Sequence, residues 1–237
     1  MISAERFAQV AGSYWKLQFP RLESFVRIAN MSAEQCADPV KLNSEHERHA
    51  VLSEAAFVLW KSKHSAQSLD PLQAFAMASS RLSVIWDQAD FSNTLLPAEE
   101  VELLALAANL DSFEITEGFD SIEIEPRLPG CGVVAGGTPD FRFSRPTSSE
   151  VSKRGLGEVK TVDRTFRSVD YRQLISYVVL SYSSTHEILD ELQLINPLRG
   201  TTVSFDVDDF FWLTRSQAAD EACAEIAYEW ADPGVSP

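Results

Sequence analysis

Two short stretches decide how the rest of this chain is interpreted: GGTPDFRF, residues 136–143, and GEVKT, residues 157–161. Each is bounded by glycine or proline and alternates apolar with polar residues, a pattern that predicts strands. The polar segment 144–154 between them has an ordinary loop length. The two stretches are therefore predicted to pair as a hairpin.

The hairpin would bring charged side chains together. Glu158 and Lys160 share one face of their strand because residues two apart point the same way, and Asp140 lies on the preceding strand. Two carboxylates in contact repel one another unless a cation lies between them. Carboxylate and carbonyl oxygens are ligands that Mg²⁺ prefers, so Asp140, Glu158 and the Val159 carbonyl are candidate metal ligands. With Lys160 to stabilise a phosphate, the set fits metal-assisted phosphodiester hydrolysis.

Each of these residues also has a simpler interpretation. Asp140 is compatible with a turn, and Glu158 with Lys160 is compatible with an ion pair on an exposed strand face. His46 and His49 lie three apart in a predicted helix, a spacing that zinc uses, but no third ligand has matching spacing and a solvated helix face is the alternative.

The two stretches resemble a known signature. TPD at 138–140, followed by GEVK at 157–160, resembles the motif of the PD-(D/E)XK nuclease superfamily, an aspartate after proline and then acid-X-lysine on the next strand. In the following predicted helix, Gln173 and Tyr177 resemble the QxxxY motif of the branch that includes RecB-type nuclease domains and lambda-type exonucleases. The resemblance covers about residues 95–210.

The resemblance implies an α/β (α+β) fold: a restriction-endonuclease-like core whose mixed β-sheet is flanked by helices. It implies a Mg²⁺-dependent or Mn²⁺-dependent deoxyribonuclease with Asp140 and Glu158 as metal ligands and Lys160 as the catalytic lysine. Gln173 and Tyr177 would support the site or contact DNA. Cleavage of RNA on the same sheet is an alternative, and the absence of a four-cysteine cluster argues against an iron–sulfur centre.

Relatives in this superfamily usually add an acid or a histidine from a preceding helix. Glu102 is our choice for that supporting residue. The other candidates in the predicted helices are Glu99, Glu100, His46, Glu47 and Glu54.

Charge is unevenly distributed along the chain. The net charge of −15 argues against nucleic acid as a partner, yet residues 138–175 carry eight Lys or Arg against five acids, which leaves −18 for the remainder. Arg164, Arg167 and Arg172 in this basic stretch are predicted DNA contacts, with a solvated face as the alternative. The acidic remainder favours a second hypothesis, a non-catalytic or partner-gated nuclease-like subunit that binds a protein partner or a second copy of itself.

The chain divides into a helical N-terminal extension (1–94), the nuclease core (95–212) and a C-terminal helix with a tail (213–237). No run of 18 apolar residues occurs and the N-terminus lacks signal-peptide features, so we expect no membrane partner and a cytoplasmic location. Helices are predicted over residues 5–15, 44–63, 71–89, 96–110, 168–184 and 216–230. Strands are predicted over residues 121–125, 137–143 and 155–162, with two more within 188–207 around the turn NPLRG.

Overall fold

The structure is a computed structural model that describes residues 1–85, 94–147 and 152–232. The end of the helix predicted over 71–89 and part of the polar segment 144–154 lie outside the described residues. All statements below concern the described part of the chain.

Helices surround one main sheet. In chain order they are α1 (Ala4–Val10), α2 (Gly12–Gln18), α3 (Leu22–Met31), α4 (His46–Lys63), α5 (Pro71–Ile85), α6 (Pro97–Glu117), α7 (Ser168–Thr185), α8 (Val207–Arg215) and α9 (Ala219–Ala231). None of these helices, as far as the chain is described, has the length and apolar character needed to cross a bilayer.

The strands are β1 (Glu34–Gln35), β2 (Ser121–Ile124), β3 (Leu128–Cys131), β4 (Val134–Gly137), β5 (Phe141–Arg145), β6 (Lys153–Val159), β7 (Glu191–Asn196) and β8 (Thr201–Asp206). Six of them form a sheet in the order β1-β8-β7-β6-β5-β2, and β3 pairs with β4. Only β6 and β7 are parallel in this six-stranded sheet, and α7 connects them. The prediction of a mixed sheet flanked by helices is confirmed at this level.

The predicted hairpin is present. β5 and β6 are antiparallel, with Phe141 opposite Gly157, so Asp140 stands opposite Glu158 just before β5 begins. An added Cβ on Gly157 would lie 1.9 Å from the Phe141 ring, which explains why glycine is needed there. The strand predicted over 137–143 is wrong in one respect: β4 ends at Gly137 and β5 begins at Phe141, because Pro139 has no N–H for a ladder.

Helices pack on both faces of the sheet. On one face, α7 covers Leu156, Leu192 and Leu194, and aromatic side chains of α1 and α2 join the same core. On the other face, α4 and α6 cover Phe141 and Phe143. Residues 1–94, predicted as an extension, therefore contribute helices to both faces.

Several elements escaped the sequence analysis: α3, α8, β1, β3 and β4. The start of α8 has a local cause, because Asp206 at the end of β8 accepts hydrogen bonds from the N–H groups of Asp208 and Asp209. The predicted start of α5 is confirmed: Pro71 follows Asp70, whose carboxylate accepts from the Gln73 N–H at 2.8 Å.

Candidate active site

Glu158, Lys160 and Gln173 form one hydrogen-bonded cluster. Glu158, only 5% exposed, accepts hydrogen bonds at Oε1 from Lys160 Nζ at 2.9 Å and from Gln173 Nε2 at 2.6 Å. Lys160 Nζ also donates to Gln173 Oε1 at 2.8 Å. The glutamine of the QxxxY pattern thus holds both charged members of the acid-X-lysine pattern in place.

Asp140 completes the cluster from the neighbouring strand. Its Oδ2 accepts a hydrogen bond from the Val159 N–H at 2.7 Å. Burial, and then the negative charge of Glu158, raise the pKa of Asp140 well above its usual value. Burial also raises the pKa of Glu158, although Lys160 opposes the shift. The two carboxylates therefore resist carrying full charge together unless a further cation is present.

Lys160 remains a charged donor in this environment. Burial lowers its pKa, but the attraction of Glu158 and Asp140 outweighs burial and leaves the pKa above its usual value. An ammonium has three N–H donors, and Glu158 and Gln173 accept two hydrogen bonds from it. The third is available for water or for a phosphate oxygen.

The tyrosine of the pattern extends the cluster to α1. The Tyr177 hydroxyl accepts from Gln173 Nε2 at 2.8 Å and donates to Glu5 Oε1 at 2.7 Å. Burial, with the charges of Glu158 and Glu5, raises the pKa of Tyr177, so the hydroxyl keeps its proton. An added Cβ on Gly137 would lie 2.6 Å from the Tyr177 ring, so the glycine before TPD makes room for it.

Glu5 is the residue that the sequence analysis missed. Burial would raise the pKa of this carboxyl, but hydrogen bonds from Ser3 and Tyr177 outweigh burial and the pKa lies below its usual value. Nothing in the local sequence of α1 signals this contact, because it joins positions 172 residues apart.

A cavity of about 1390 Å³ opens beside the cluster. Asp140 and Val159 line it, whereas Glu158 and Lys160 lie next to Asp140 without reaching its wall. From α4, the cavity is lined by His46, His49 and Glu54, among others. The cluster therefore meets the cavity through Asp140.

Glu102, our choice for the supporting acid from a preceding helix, does not lie at the candidate site. Glu102 accepts hydrogen bonds at Oε1 from the backbone N–H groups of Asn43 at 2.6 Å and Ser44 at 3.3 Å, so it holds the segment before α4, and it does not line the cavity. Glu54, one of the alternatives, lines the cavity together with Asp140. The Glu47 side chain is outside the described part of the chain.

Glu54 is bridged to a further carboxylate. Arg81 Nη1 donates to Glu54 Oε1 at 2.8 Å and to Glu125 Oε1 at 3.0 Å, and Lys61 also donates to Glu125. Glu125 has a φ of 51°, a backbone conformation that costs about 1–3 kcal/mol outside glycine. Its N–H donates to the Asp140 carbonyl at 2.8 Å, so this strained residue is tied to the metal-ligand candidate.

The three predicted DNA-contacting arginines have different positions. Arg164 and Arg167 line the cavity, and Arg164 is also paired with Asp170 at 2.7 Å. Arg172 is turned away: its side chain is 14% exposed and lies 3.7 Å from Glu23 of α3. Three further basic side chains line the cavity: Lys41, Arg81 and Arg199. Arg172 and Glu102 are thus the predicted site residues that the structure brings neither to the cluster nor to the cavity.

The donor set can be compared with what a hard divalent ion needs. Within residues 1–85, 94–147 and 152–232, no group of three or more His, Cys, Asp and Glu side chains is placed to hold a metal. Glu158 Oε2, however, is buried and has no hydrogen-bond partner in the described chain, an arrangement that is costly without a ligand. Two carboxylates, the Val159 carbonyl and water would fit Mg²⁺ or Mn²⁺.

Comparison with known proteins does not extend this description. The chain matches no protein-family model, and no curated protein is significantly similar to it.

Proposed function

We propose that the chain is a metal-dependent nuclease that hydrolyses DNA phosphodiester bonds on a restriction-endonuclease-like core of the PD-(D/E)XK type. The observation that carries this proposal is the cluster of Asp140, Glu158, Lys160 and Gln173, which meets a large cavity with basic side chains on its wall. The order of hairpin, α7 and parallel β7 around it supports the same core.

Asp140, Glu158 and the Val159 carbonyl would hold Mg²⁺ or Mn²⁺, and the ion would neutralise charge at the scissile phosphate and lower the pKa of bound water. Each carboxyl group binds the ion only when it is deprotonated, and burial raises the pKa of both. Metal affinity is therefore expected to increase with pH.

Lys160 acts next to the reacting phosphate. Its third N–H would be free to donate to a phosphate oxygen or to the attacking water, while Glu158 and Gln173 keep the ammonium in position. Tyr177 and Glu5 in turn fix the orientation of Gln173 and act as positioning residues.

DNA would enter along the basic side of the cavity. Lys41, Arg167 and Arg199 supply phosphate contacts there, and the strongly acidic remainder of the chain confines DNA to this surface. Each phosphate contact releases counterions from DNA, so binding should weaken as salt increases, with a slope set by the number of these contacts.

The test is cleavage of linear, circular and single-stranded DNA with Mg²⁺ or Mn²⁺ by the wild-type chain and by Lys160→Ala. We expect Lys160→Ala to reduce the rate by on the order of 10² or more, since it removes a preorganised charge. Lys153→Ala is the matched control, because Lys153 begins the strand that Lys160 follows and forms an exposed pair with Asp206. Equal cleavage by wild type and Lys160→Ala would contradict the assignment.

A second function, a partner-gated nuclease-like subunit, is favoured by the charge of −18 outside residues 138–175. It predicts weak DNA binding by the isolated chain and no cleavage in any of the assays above. Cleavage by the isolated chain that depends on Lys160 would exclude it.

A further inference from the structure

Arg81 has an unusual position in the cavity beside the cluster. One guanidinium nitrogen, Nη1, donates to both Glu54 and Glu125, which come from α4 and from the residue after β2. Glu54 and Asp140 both line the cavity with Arg81, and the negative charge of Asp140 also acts on the guanidinium. Arg81 is thus a cation of the protein itself among carboxylates that face the candidate metal site.

The Arg81 side chain borders open solvent. It is 52% exposed, whereas Glu54 and Glu125 are 23% and 19% exposed. Glu125 keeps a second cation, Lys61, whether or not Arg81 is present. Release of Arg81 would therefore leave Glu125 paired and would free Glu54 beside Asp140.

We infer that Arg81 is an exchangeable cation: it neutralises Glu54 and Glu125 in the empty site and moves to a DNA phosphate when a divalent ion and DNA enter. The inference rests on the proposed nuclease function and assigns Arg81 as a phosphate-binding residue.

Charge gives the reason for the exchange. A divalent ion at Asp140 would repel a guanidinium held close by and would attract Glu54, so the contacts of Arg81 weaken when the ion binds. The guanidinium is a planar fork that matches two phosphate oxygens, which gives it a new partner of opposite charge in the same cavity. A change of position needs such a difference in contacts between the two states.

The alternative is that Arg81 forms an ordinary static ion pair. Pairs of this exposure contribute little to stability, and a static Arg81 makes no contact with DNA, so its loss would leave DNA affinity unchanged. The two interpretations therefore differ in the DNA affinity that they predict for Arg81→Ala.

The experiment compares the whole chain as wild type, Arg81→Ala and the control Arg154→Ala. Arg154 carries the same charge, has a side chain 50% exposed and pairs with Glu187 outside the cavity. Mn²⁺ binding is measured by titration calorimetry, and binding of a fluorescent DNA duplex by anisotropy in Ca²⁺. We expect Arg81→Ala to bind Mn²⁺ roughly 3- to 10-fold more tightly and DNA roughly 3- to 10-fold more weakly, with Arg154→Ala near wild type.

A second variant separates charge from shape. Arg81→Lys keeps the positive charge and loses the fork, so Mn²⁺ affinity should stay near wild type while DNA affinity falls partway. If Arg81→Ala equals Arg154→Ala in both measurements while wild type binds Mn²⁺ and cleaves DNA, the exchange alone is wrong. If wild type neither binds Mn²⁺ nor cleaves, the proposed function is wrong and the exchange is wrong with it.

Discussion

Glu158 on β6 and Glu191 on β7 are two buried glutamates on neighbouring strands with nearly the same surroundings. Each accepts hydrogen bonds from one basic side chain and one glutamine amide, and each has an Oε2 without a partner in the described chain. They belong to different ends of the sheet, since Glu191 is level with Gly155. Their similarity makes them a controlled comparison.

The Glu191 cluster is held by a bridging cation. Arg145 donates to Glu191 and to Glu117 of α6, the latter at 2.9 Å. Gln193 donates to Glu117 at 2.9 Å, and Ser204 donates to Glu191. The cluster thus ties β5, β7, β8 and α6 together at one end of the sheet.

Net charge does not distinguish the two clusters. Asp140, Glu158 and Lys160 sum formally to −1, and so do Glu117, Glu191 and Arg145. The difference is access, because Asp140 lines the large cavity and none of the Glu191 cluster does. A buried, partly unsatisfied carboxylate therefore indicates a functional site only where another member of its cluster opens to a cavity.

The largest expected effect on stability concerns the Glu191 cluster, which does not reach the cavity. Arg145→Ala leaves Glu117 and Glu191 buried without their cation, so we expect unfolding free energy to fall by about 3–5 kcal/mol in urea denaturation. Cleavage per folded molecule should be unchanged. The control Arg142→Ala breaks an exposed pair with Glu123 and should change stability by at most about 1 kcal/mol. If Arg145→Ala and Arg142→Ala lost equal unfolding free energy, the buried cluster would be no more important for stability than an exposed ion pair.

A smaller effect on stability is expected where the cluster that contains Glu158 contacts Glu5 of α1. Tyr177→Phe removes the hydroxyl that links Gln173 to Glu5, so one N–H of the buried Gln173 amide loses its partner, at about 1–3 kcal/mol of unfolding free energy. Cleavage should lose kcat with little change in KM, because Gln173 no longer positions Lys160. Tyr182→Phe, on the same helix with its ring edge against His186, is the control. A pure loss of stability with normal kcat would restrict Tyr177 to packing.

The smallest expected effect is a gain in stability rather than a loss. Asp140→Asn removes repulsion with Glu158, so the metal-free chain should melt about 2–4 °C higher at pH 7. The pKa of Asp140 is raised on folding, so its contribution to stability is present below the ordinary value of 3.8 and is lost as pH rises through the folded value. Melting in chelator across pH should show wild type and variant converging near pH 3.5. Added Mn²⁺ should stabilise only wild type.

The predicted strands and helices that the structure confirms depend on signals in the local sequence. The hairpin around 141–159 and the helix from Ser168 were predicted from alternation, flanking glycines and helical periodicity within a few residues. The helix α8 was not predicted, because its sequence DDFFWL reads equally well as the end of the preceding strand. Its true start depends on the Asp206 cap, which ends β8.

Contacts at the candidate site between residues that are distant in the sequence were predicted less well. Glu102 and Glu54 are both acids on helices that precede the hairpin, and nothing in the sequence indicates which of the two faces the candidate site. Packing of α4 against α6 turns Glu102 to the backbone of Asn43 and Glu54 to the cavity. Arg172 shares the basic stretch with Arg167, but the rotation of α7 directs it to Glu23.

The sequence by itself determined the acid-X-lysine strand, the aspartate opposite it and the glutamine four residues before the tyrosine, because strand and helix periodicity place such neighbours without reference to the rest of the chain. Only the tertiary structure decided that Glu5 meets Tyr177, that Glu54 faces the cavity and that Arg81 lies between Glu54 and Glu125. Those contacts join elements far apart in sequence, and their geometry follows from how helices pack on the sheet, which local patterns do not encode.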